Sequence, residues 1–301
     1  MSAPPVSPAS RARELGRFLE IQNLGLNLPF ALAFLFLAAS GLPSWWTVLW
    51  VVVAFVAARN AGHSFNRWAD RQLDARNPRT RGRLLPSGRA SPAVALAVCA
   101  ASSAVLIGAA YLLNPLAFLL APVALAIVFA YSYTKRLTSF TTAFLGLVEA
   151  ITPAAVYIAV RGALPLPVFL AVGGLLAWGT AFETIHSLGD LASDRELGLY
   201  SLPVRLGPGR AARLVPVLHG VALGLLALFG LALGLAPAYY VGLVAMAALA
   251  AVSDRDLLRR PTETRIPFDR HIALGLIYLV GVGFAVFFPL GPVGMVHGFG
   301  A

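Results

Sequence analysis

Charge is scarce in this chain. Of its 301 residues only 12% are Asp, Glu, Lys or Arg, about half the ~25% of an ordinary soluble domain. With 58% hydrophobic residues and a mean hydropathy of +0.78, that shortage excludes a soluble globular domain and leaves room for many bilayer crossings. Cysteine is nearly absent. Cys99 stands alone inside an apolar run, which excludes a disulfide framework and a thiolate metal site and leaves it a packing role. Acids are few, and Asp and Glu number 13 against 23 Lys and Arg. The net charge of +10 does not mark a nucleic-acid binder: the basic residues fall in short segments between apolar runs, and no nucleic-acid motif accompanies them. The charge reports topology.

Apolar runs of about 20 residues predict membrane helices near 21–40, 44–65, 91–113, 115–134, 140–160, 167–189, 210–234, 236–252 and 271–290. Basic residues gather in the N-terminal arm and in the connections after the second, fourth, sixth and eighth spans, while Arg161 stands on the opposite side. By the positive-inside rule those connections are cytoplasmic, which places the protein in the cell inner (plasma) membrane as a multi-pass chain with its chemistry facing the cytoplasm. Trp45, Trp46 and Trp50, at the start of the second span, fit the aromatic belt of the outer interface. Residues 1–19, rich in Pro, Ser and Arg, are expected to form a disordered cytoplasmic arm, and 20–301 a single transmembrane domain. The first apolar run carries Asn23, Asn27 and Pro29 and heads a series of similar runs, so it reads as an uncleaved helix and not as a signal peptide.

Polar chemistry is concentrated where the second span ends. Asn66, Asp70 and Asp74 fall at i, i+4 and i+8 and therefore share one helical face. Oxygen donors at that spacing suit Mg²⁺, which takes one or two carboxylates and completes its shell with water and phosphate oxygens. Arg67, Arg71, Arg76, Arg79, Arg81, Arg83 and Arg89 crowd the same stretch. Arginines suit a polyanion and not a free dication, so the combination points to a Mg-diphosphate. A second acidic set, Glu183, Asp190 and Asp194, closes the sixth span at i, i+7 and i+11. Four spans separate the two sets, so both leave the membrane on one side and face each other as half-sites across a central cavity. A carboxylate near hydrocarbon costs about 2.5–3.5 kcal/mol at mid-membrane and less toward the interface, which argues against two such sets as idle helix ends.

Between them the fourth span ends in Tyr131-Ser-Tyr-Thr-Lys135-Arg136, and Lys135 is the chain's single lysine. Tyr131 and Lys135, at i and i+4, offer a phenol and an ammonium to a phosphate oxygen. Glu149, inside the fifth span, is either neutral or faces a polar cavity, and reads as part of an acceptor pocket or as a base. The histidines show no pairing that marks a metal or haem site.

These motifs resemble the UbiA superfamily of intramembrane prenyltransferases, whose first motif is Asn-x-x-x-Asp-x-x-x-Asp and whose second is Asp-x-x-x-Asp. The likeness extends to Arg79-Thr80, Arg83-x-x-Pro86-Ser87-Gly88, Tyr131-x-x-x-Lys135-Arg136 and Gly198-Leu199-Tyr200-Ser201-Leu202-Pro203, and covers roughly residues 20 to 290. It implies an all-α fold of nine transmembrane helices around a central cavity, with a lateral opening for the prenyl chain. It also implies transfer of a polyprenyl group from polyprenyl diphosphate to a ring carbon of an aromatic acid acceptor, 4-hydroxybenzoate or a dihydroxynaphthoate, in ubiquinone or menaquinone biosynthesis. Asn66, Asp70, Asp74, Asp190 and Asp194 would hold the metal, and Arg71, Lys135 and Arg136 would touch the diphosphate, with Arg79, Tyr131 and Glu183 nearby. Arg67 stands where many members have Asp, Glu183 where Asp is usual, and Asn23 where dihydroxynaphthoate relatives have His. Haem- and chlorophyll-modifying relatives share the acid motifs. A secondary transporter of an organic anion is the rival of another class, but its acids should sit near the midplane.

Overall fold

The structure, a computed structural model, describes Gly16, Phe18 and residues 25–288. Most of the expected 1–19 arm, Asn23, the start of the first expected span, the end of the ninth and His297 lie outside the described residues. Among those described there are eleven helices and no strand: α1 (Leu28–Ala39), α2 (Trp45–Arg76), α3 (Pro92–Leu113), α4 (Pro115–Thr134), α5 (Thr141–Arg161), α6 (Val168–Gly189), α7 (Leu191–Glu196), α8 (Leu202–Leu206), α9 (Pro208–Ala232), α10 (Pro237–Arg259) and α11 (Arg265–Phe287).

Local chemistry sets these boundaries. Proline opens α3, α4, α9 and α10, at the first helical position, where its missing N–H costs nothing. The Ser44 hydroxyl accepts from the Thr47 N–H at 3.1 Å and caps α2. Asn114 caps α4 through Ala117 N–H and also donates to the Ile158 and Ala159 carbonyls of α5, so one amide fixes both a helix start and a helix contact. Arg161 donates to the Ala38 carbonyl and the Ser40 hydroxyl at the end of α1. Its place opposite the other basic residues therefore has a structural use, the satisfaction of a helix C-terminus.

Seven helices, α2 to α6, α9 and α11, are long and apolar enough to cross a membrane. Of the other expected spans, the first falls on α1, with 12 described residues, and the eighth on α10, whose last turns carry Asp254, Arg255, Asp256 and Arg259. Large apolar side chains such as Leu119, Leu231, Val244 and Val280 point outward, as in a bundle solvated by lipid. The chain is a multi-pass membrane protein.

Two packed clusters flank the cavity. Phe30 and Phe34 of α1, Trp178 of α6, Phe229 of α9 and Tyr278 of α11 interlock at ring distances of 5.4–6.0 Å. A smaller cluster joins Ala57 and Ala61 of α2 to Leu106 and Ala110 of α3 and Ala121 and Leu125 of α4. Between them α5 lies tightly on α6. A Cβ on Gly179 would come within 2.9 Å of the Gly146 Cα and 2.8 Å of the Glu149 Cγ, so this crossing tolerates only glycine and brings Glu149 against α6.

Candidate active site

The helix of α2 continues past the expected end at 65 to Arg76, although the apolar run has stopped. That extension displays Asn66, Asp70 and Asp74 on one face, and all three line a cavity of about 660 Å³. Asp70 is 2% exposed and Asp74 9%. Burial at that level requires partners. Asp70 accepts from Asn66 Nδ2 at 3.0 Å, from Lys135 Nζ at 2.5 Å and from Arg136 Nη2 at 2.7 Å. Asp74 accepts from Arg83 Nη1 at 3.1 Å, and its carbonyl takes the Thr80 hydroxyl.

The opposite wall differs from the expected single helical face. Glu183 lies on α6, but that helix stops at Gly189, and Asp190, at φ −97° and ψ 2°, forms a corner before the short α7 that carries Asp194. At the corner Gly189 packs closely under Thr264 of the α10–α11 connection, where a Cβ would meet the Thr264 hydroxyl at 2.5 Å, so the position takes only glycine. The corner still aims Asp190 and Asp194 into the same cavity. Asp190 accepts twice from Arg79, Nε to Oδ1 at 2.8 Å and Nη2 to Oδ2 at 2.5 Å. Burial pushes the Asp194 carboxyl up to about 6; the neighbouring Asp190 adds to the rise and Lys135 opposes it. The Lys135 carbonyl accepts from the Tyr200 N–H at 2.8 Å, which ties the α4 end to the segment after α7.

Tyr131 donates to Glu183 at 3.1 Å, and His186 contacts the other Glu183 oxygen at 3.2 Å. Deeper, Asn27 donates to Glu149 at 2.7 Å, and Arg59 acts electrostatically on the same carboxylate. Arg59, His63 and Asn27 line the cavity with Glu149. None of the three stood out as a site residue in the sequence, since none belongs to a repeated polar spacing such as that of Asn66, Asp70 and Asp74. Most of the remaining lining is apolar and much of it comes from α2 to α5, including Val51, Leu106, Leu125 and Val156, with Thr141 and Thr152 of α5 among the polar exceptions. Of the chain's aromatics, Phe55, Tyr131, Phe182 and Tyr200 face this space.

Not every expected residue reaches it. Arg71 donates to the Trp68 carbonyl at 2.7 Å and stacks over the Trp68 ring at 5.2 Å, outside the cavity lining. Arg136 touches Asp70 from behind and is also not a lining residue. The cations that do line the polar end are Arg79, Arg83 and Lys135, with Arg67 on the same wall.

Among the described residues no three His, Cys, Asp or Glu side chains converge as a metal-holding group. Mg²⁺ does not need them to, because it takes one or two protein carboxylates and fills its shell from water and phosphate. The donor set fits that mode: carboxylate oxygens from two walls, with cations beside them to receive the rest of a diphosphate.

A bundle of lipid-facing helices around a cavity that is acidic and cationic at one end and mostly apolar beyond, with a few buried polar side chains, suits an integral membrane enzyme. Residues 27–274 match the model of the UbiA prenyltransferase family. A 4-hydroxybenzoate octaprenyltransferase of Aeromonas salmonicida (strain A449) is 34% identical over 229 residues, 76% of this chain and 79% of that protein. Another, of Azotobacter vinelandii, is 33% identical over 248 residues, 82% and 83%. The apo structure of a UbiA homologue from Aeropyrum pernix K1 has a TM-score of 0.80 at 30% identity, covering 87% of this chain and 97% of that one. A UbiA homologue from Archaeoglobus fulgidus, bound to GPP and Mg²⁺, shares the fold with a TM-score of 0.69 at 21% identity, over 89% and 99%. This chain belongs to the UbiA prenyltransferase family, and it is a prenyltransferase.

Proposed function

We propose that the protein transfers a polyprenyl group from polyprenyl diphosphate to a ring carbon of a hydroxylated aromatic acid, of the 4-hydroxybenzoate or dihydroxynaphthoate type, in ubiquinone or menaquinone synthesis. One observation carries this reading: Asp70, Asp74, Asp190 and Asp194 line one end of a cavity whose remainder is mostly apolar but also holds Glu149 and Arg59. The relatives named 4-hydroxybenzoate octaprenyltransferase support the acceptor class.

In the reaction the allylic C–O bond breaks, pyrophosphate leaves, a ring carbon bonds to the prenyl carbon, and the ring loses a proton. Asn66 and the four aspartates would hold Mg²⁺, which when bound spreads the charge that grows on the leaving diphosphate. Lys135, Arg79 and Arg83 supply cations to the same oxygens, exchanging their present carboxylate partners for phosphate. Phe55, Tyr131, Phe182 and Tyr200 offer ring faces to the allylic cation, and the apolar lining excludes the water that would trap it. Arg59 receives the acceptor's carboxylate, and Glu149, positioned by Asn27, is the candidate to take the ring proton.

The same reading places nine spans, with α1 and α10 as the two added to the seven, and puts the acidic end at the cytoplasmic face of the inner membrane. The Arg-rich connection after α2 meets the α6–α7 corner at that end, which supports the orientation under the positive-inside rule. It also disfavours the transporter, whose acids should lie near the midplane.

The test uses purified protein in lipid nanodiscs, labelled geranyl diphosphate and a small panel of hydroxybenzoates and dihydroxynaphthoates. Prenylated product is expected with at least one acid, lost in EDTA and restored by Mg²⁺. Turnover that survives EDTA would remove the metal from the mechanism, and no product with any acid would remove the acceptor class.

A further inference from the structure

A second hollow of about 550 Å³ lies between α9 and α10, and it shares no lining residue with the catalytic cavity. Its walls are Pro216, Gly220 and Leu223 on one helix and Ala247, Ala250 and Ala251 on the other. The small side chains of Gly220, Ala247, Ala250 and Ala251 leave a trough where two helices would otherwise close on each other. Its inner wall is polar but already satisfied at one face: His219 Nδ1 lies 3.0 Å from both oxygens of Asp254, and both residues are buried.

The mouth carries Arg255 and Arg259. Separated by four residues on a helix, they stand one turn apart on one face. Both are exposed, and neither joins an ion pair among the described residues. Neighbouring acids are engaged elsewhere: Asp254 with His219, Asp256 with Arg270 at 2.6 Å, and Glu263 with Arg260. Thr264 of the α10–α11 connection touches Gly189 beside Asp190, so this mouth opens at the same end of the bundle as the acidic cavity, at a membrane surface. With α10 taken as one of the nine proposed spans, on which this inference rests, an apolar trough between α9 and α10 topped by two unneutralised guanidinium groups would stand at headgroup level and match a lipid.

We propose that the groove between α9 and α10 binds one anionic phospholipid of the surrounding bilayer, with its phosphate between Arg255 and Arg259 and an acyl chain along Gly220 and Ala247–Ala251. Charge complementarity selects the occupant: a basic pocket between membrane helices attracts anionic headgroups, and paired guanidiniums match phosphate oxygens. A zwitterionic lipid would bring an ammonium to the same two cations.

The full chain is purified in mild detergent and titrated with phosphatidylglycerol or phosphatidylcholine, and the retained lipid is read by intact mass spectrometry and by Tm. The wild type should retain phosphatidylglycerol about 10- to 30-fold better than phosphatidylcholine. Its Tm should rise by about 2–4 °C with that lipid. The double variant Arg255→Gln/Arg259→Gln should lose the selectivity, and Ala251→Phe, which fills the trough and keeps both charges, should lose the retention. Arg210→Gln, an exposed arginine outside the groove, should behave as wild type. Equal retention by the double variant and the wild type overturns the site. An equal Tm rise with inorganic phosphate shows a soluble-anion site and overturns the lipid assignment, as does equal binding of phosphatidylcholine.

Discussion

Arg79 and Asp190, 111 positions apart in the chain, meet through two parallel hydrogen bonds of 2.8 and 2.5 Å. The contact joins the loop after α2 to the corner between α6 and α7, so it spans the two acidic half-sites. Because the Arg79 side chain is half exposed, its contribution to stability belongs at the low end, about 0–1 kcal/mol. Its contribution to chemistry should be larger, since it is one of the few cations that line the polar end. Arg79→Gln is expected to leave Tm nearly unchanged and to lower prenyl transfer about 10- to 100-fold. Wild-type turnover at equal expression would remove Arg79 from the site.

Lys135 and Asp70 form the complementary case. Asp70 is buried while holding Lys135 and Arg136, whose side chains are each 30% exposed. Asp70→Ala would leave two cations around an empty oxygen position, at a cost of about 1–3 kcal/mol once partial exposure is allowed for. Asp190→Asn is therefore the cleaner test of the carboxylates proposed to hold Mg²⁺, with activity lost and Tm kept. Lys135→Gln should cost about 2–4 kcal/mol of transition-state stabilisation, or roughly 30- to 1,000-fold in rate. Lys135→Arg should rescue only partly, because a planar guanidinium cannot occupy the point of an ammonium. Full activity in Lys135→Gln, measured at saturating acceptor with a titration of prenyl diphosphate, would reduce the lysine to a partner of Asp70.

Hydropathy located the helices well where polarity and helix end together, as at 115–134 and Pro115–Thr134. It failed where they part. α2 remains helical for three turns beyond its apolar run, because Asn66, Asp70 and Asp74 have protein partners there instead of lipid. The i, i+4, i+8 spacing made that face legible, since it is a local property of one helix. The corner at Asp190 was not, because the i, i+7, i+11 spacing of Glu183, Asp190 and Asp194 reads the same for one continuous helix as for two that meet at a corner. The pairing of His219 with Asp254, and the gathering of Trp178, His219 and His271 at 4.9–5.6 Å, come from four different helices and leave no periodic trace.

The orientation can be checked with single cysteines. Ser87 lies on the Arg-rich loop after α2 and Ser44 at the opposite end of that helix, and both are exposed. In a Cys99→Ser background, Ser87→Cys should resist a membrane-impermeant maleimide in intact cells and react after permeabilisation, while Ser44→Cys labels from outside. Ser201 is a poor probe, being buried as the cap of α8. The reverse labelling pattern would turn the topology over and put the acidic mouth outside.

Arg59 should set the preference for an acidic acceptor. A guanidinium within an apolar span is costly unless it faces a polar cavity, and Arg59 does face one, two turns before Asn66 on α2. Around it, Glu149 is held by Asn27 and lies within its electrostatic reach, so the deep end of the cavity has a cation for a carboxylate and a carboxylate of its own for a proton. Lys135, Arg79 and Arg83, where the proposed diphosphate would bind, line the separate acidic end, so the two substrates should respond separately to substitution. Arg59→Gln is expected to raise KM for 4-hydroxybenzoate about 10- to 100-fold, the range of a lost charge-assisted hydrogen bond. KM for the prenyl diphosphate should stay near wild type. The methyl ester of the acid, which carries no charge, should be affected little, and Arg59→Lys should recover part of the loss because one ammonium cannot reproduce a two-point contact. Equal changes for acid and ester would assign Arg59 to the shape of the cavity, and an unchanged KM for the acid would place the acceptor's carboxylate elsewhere.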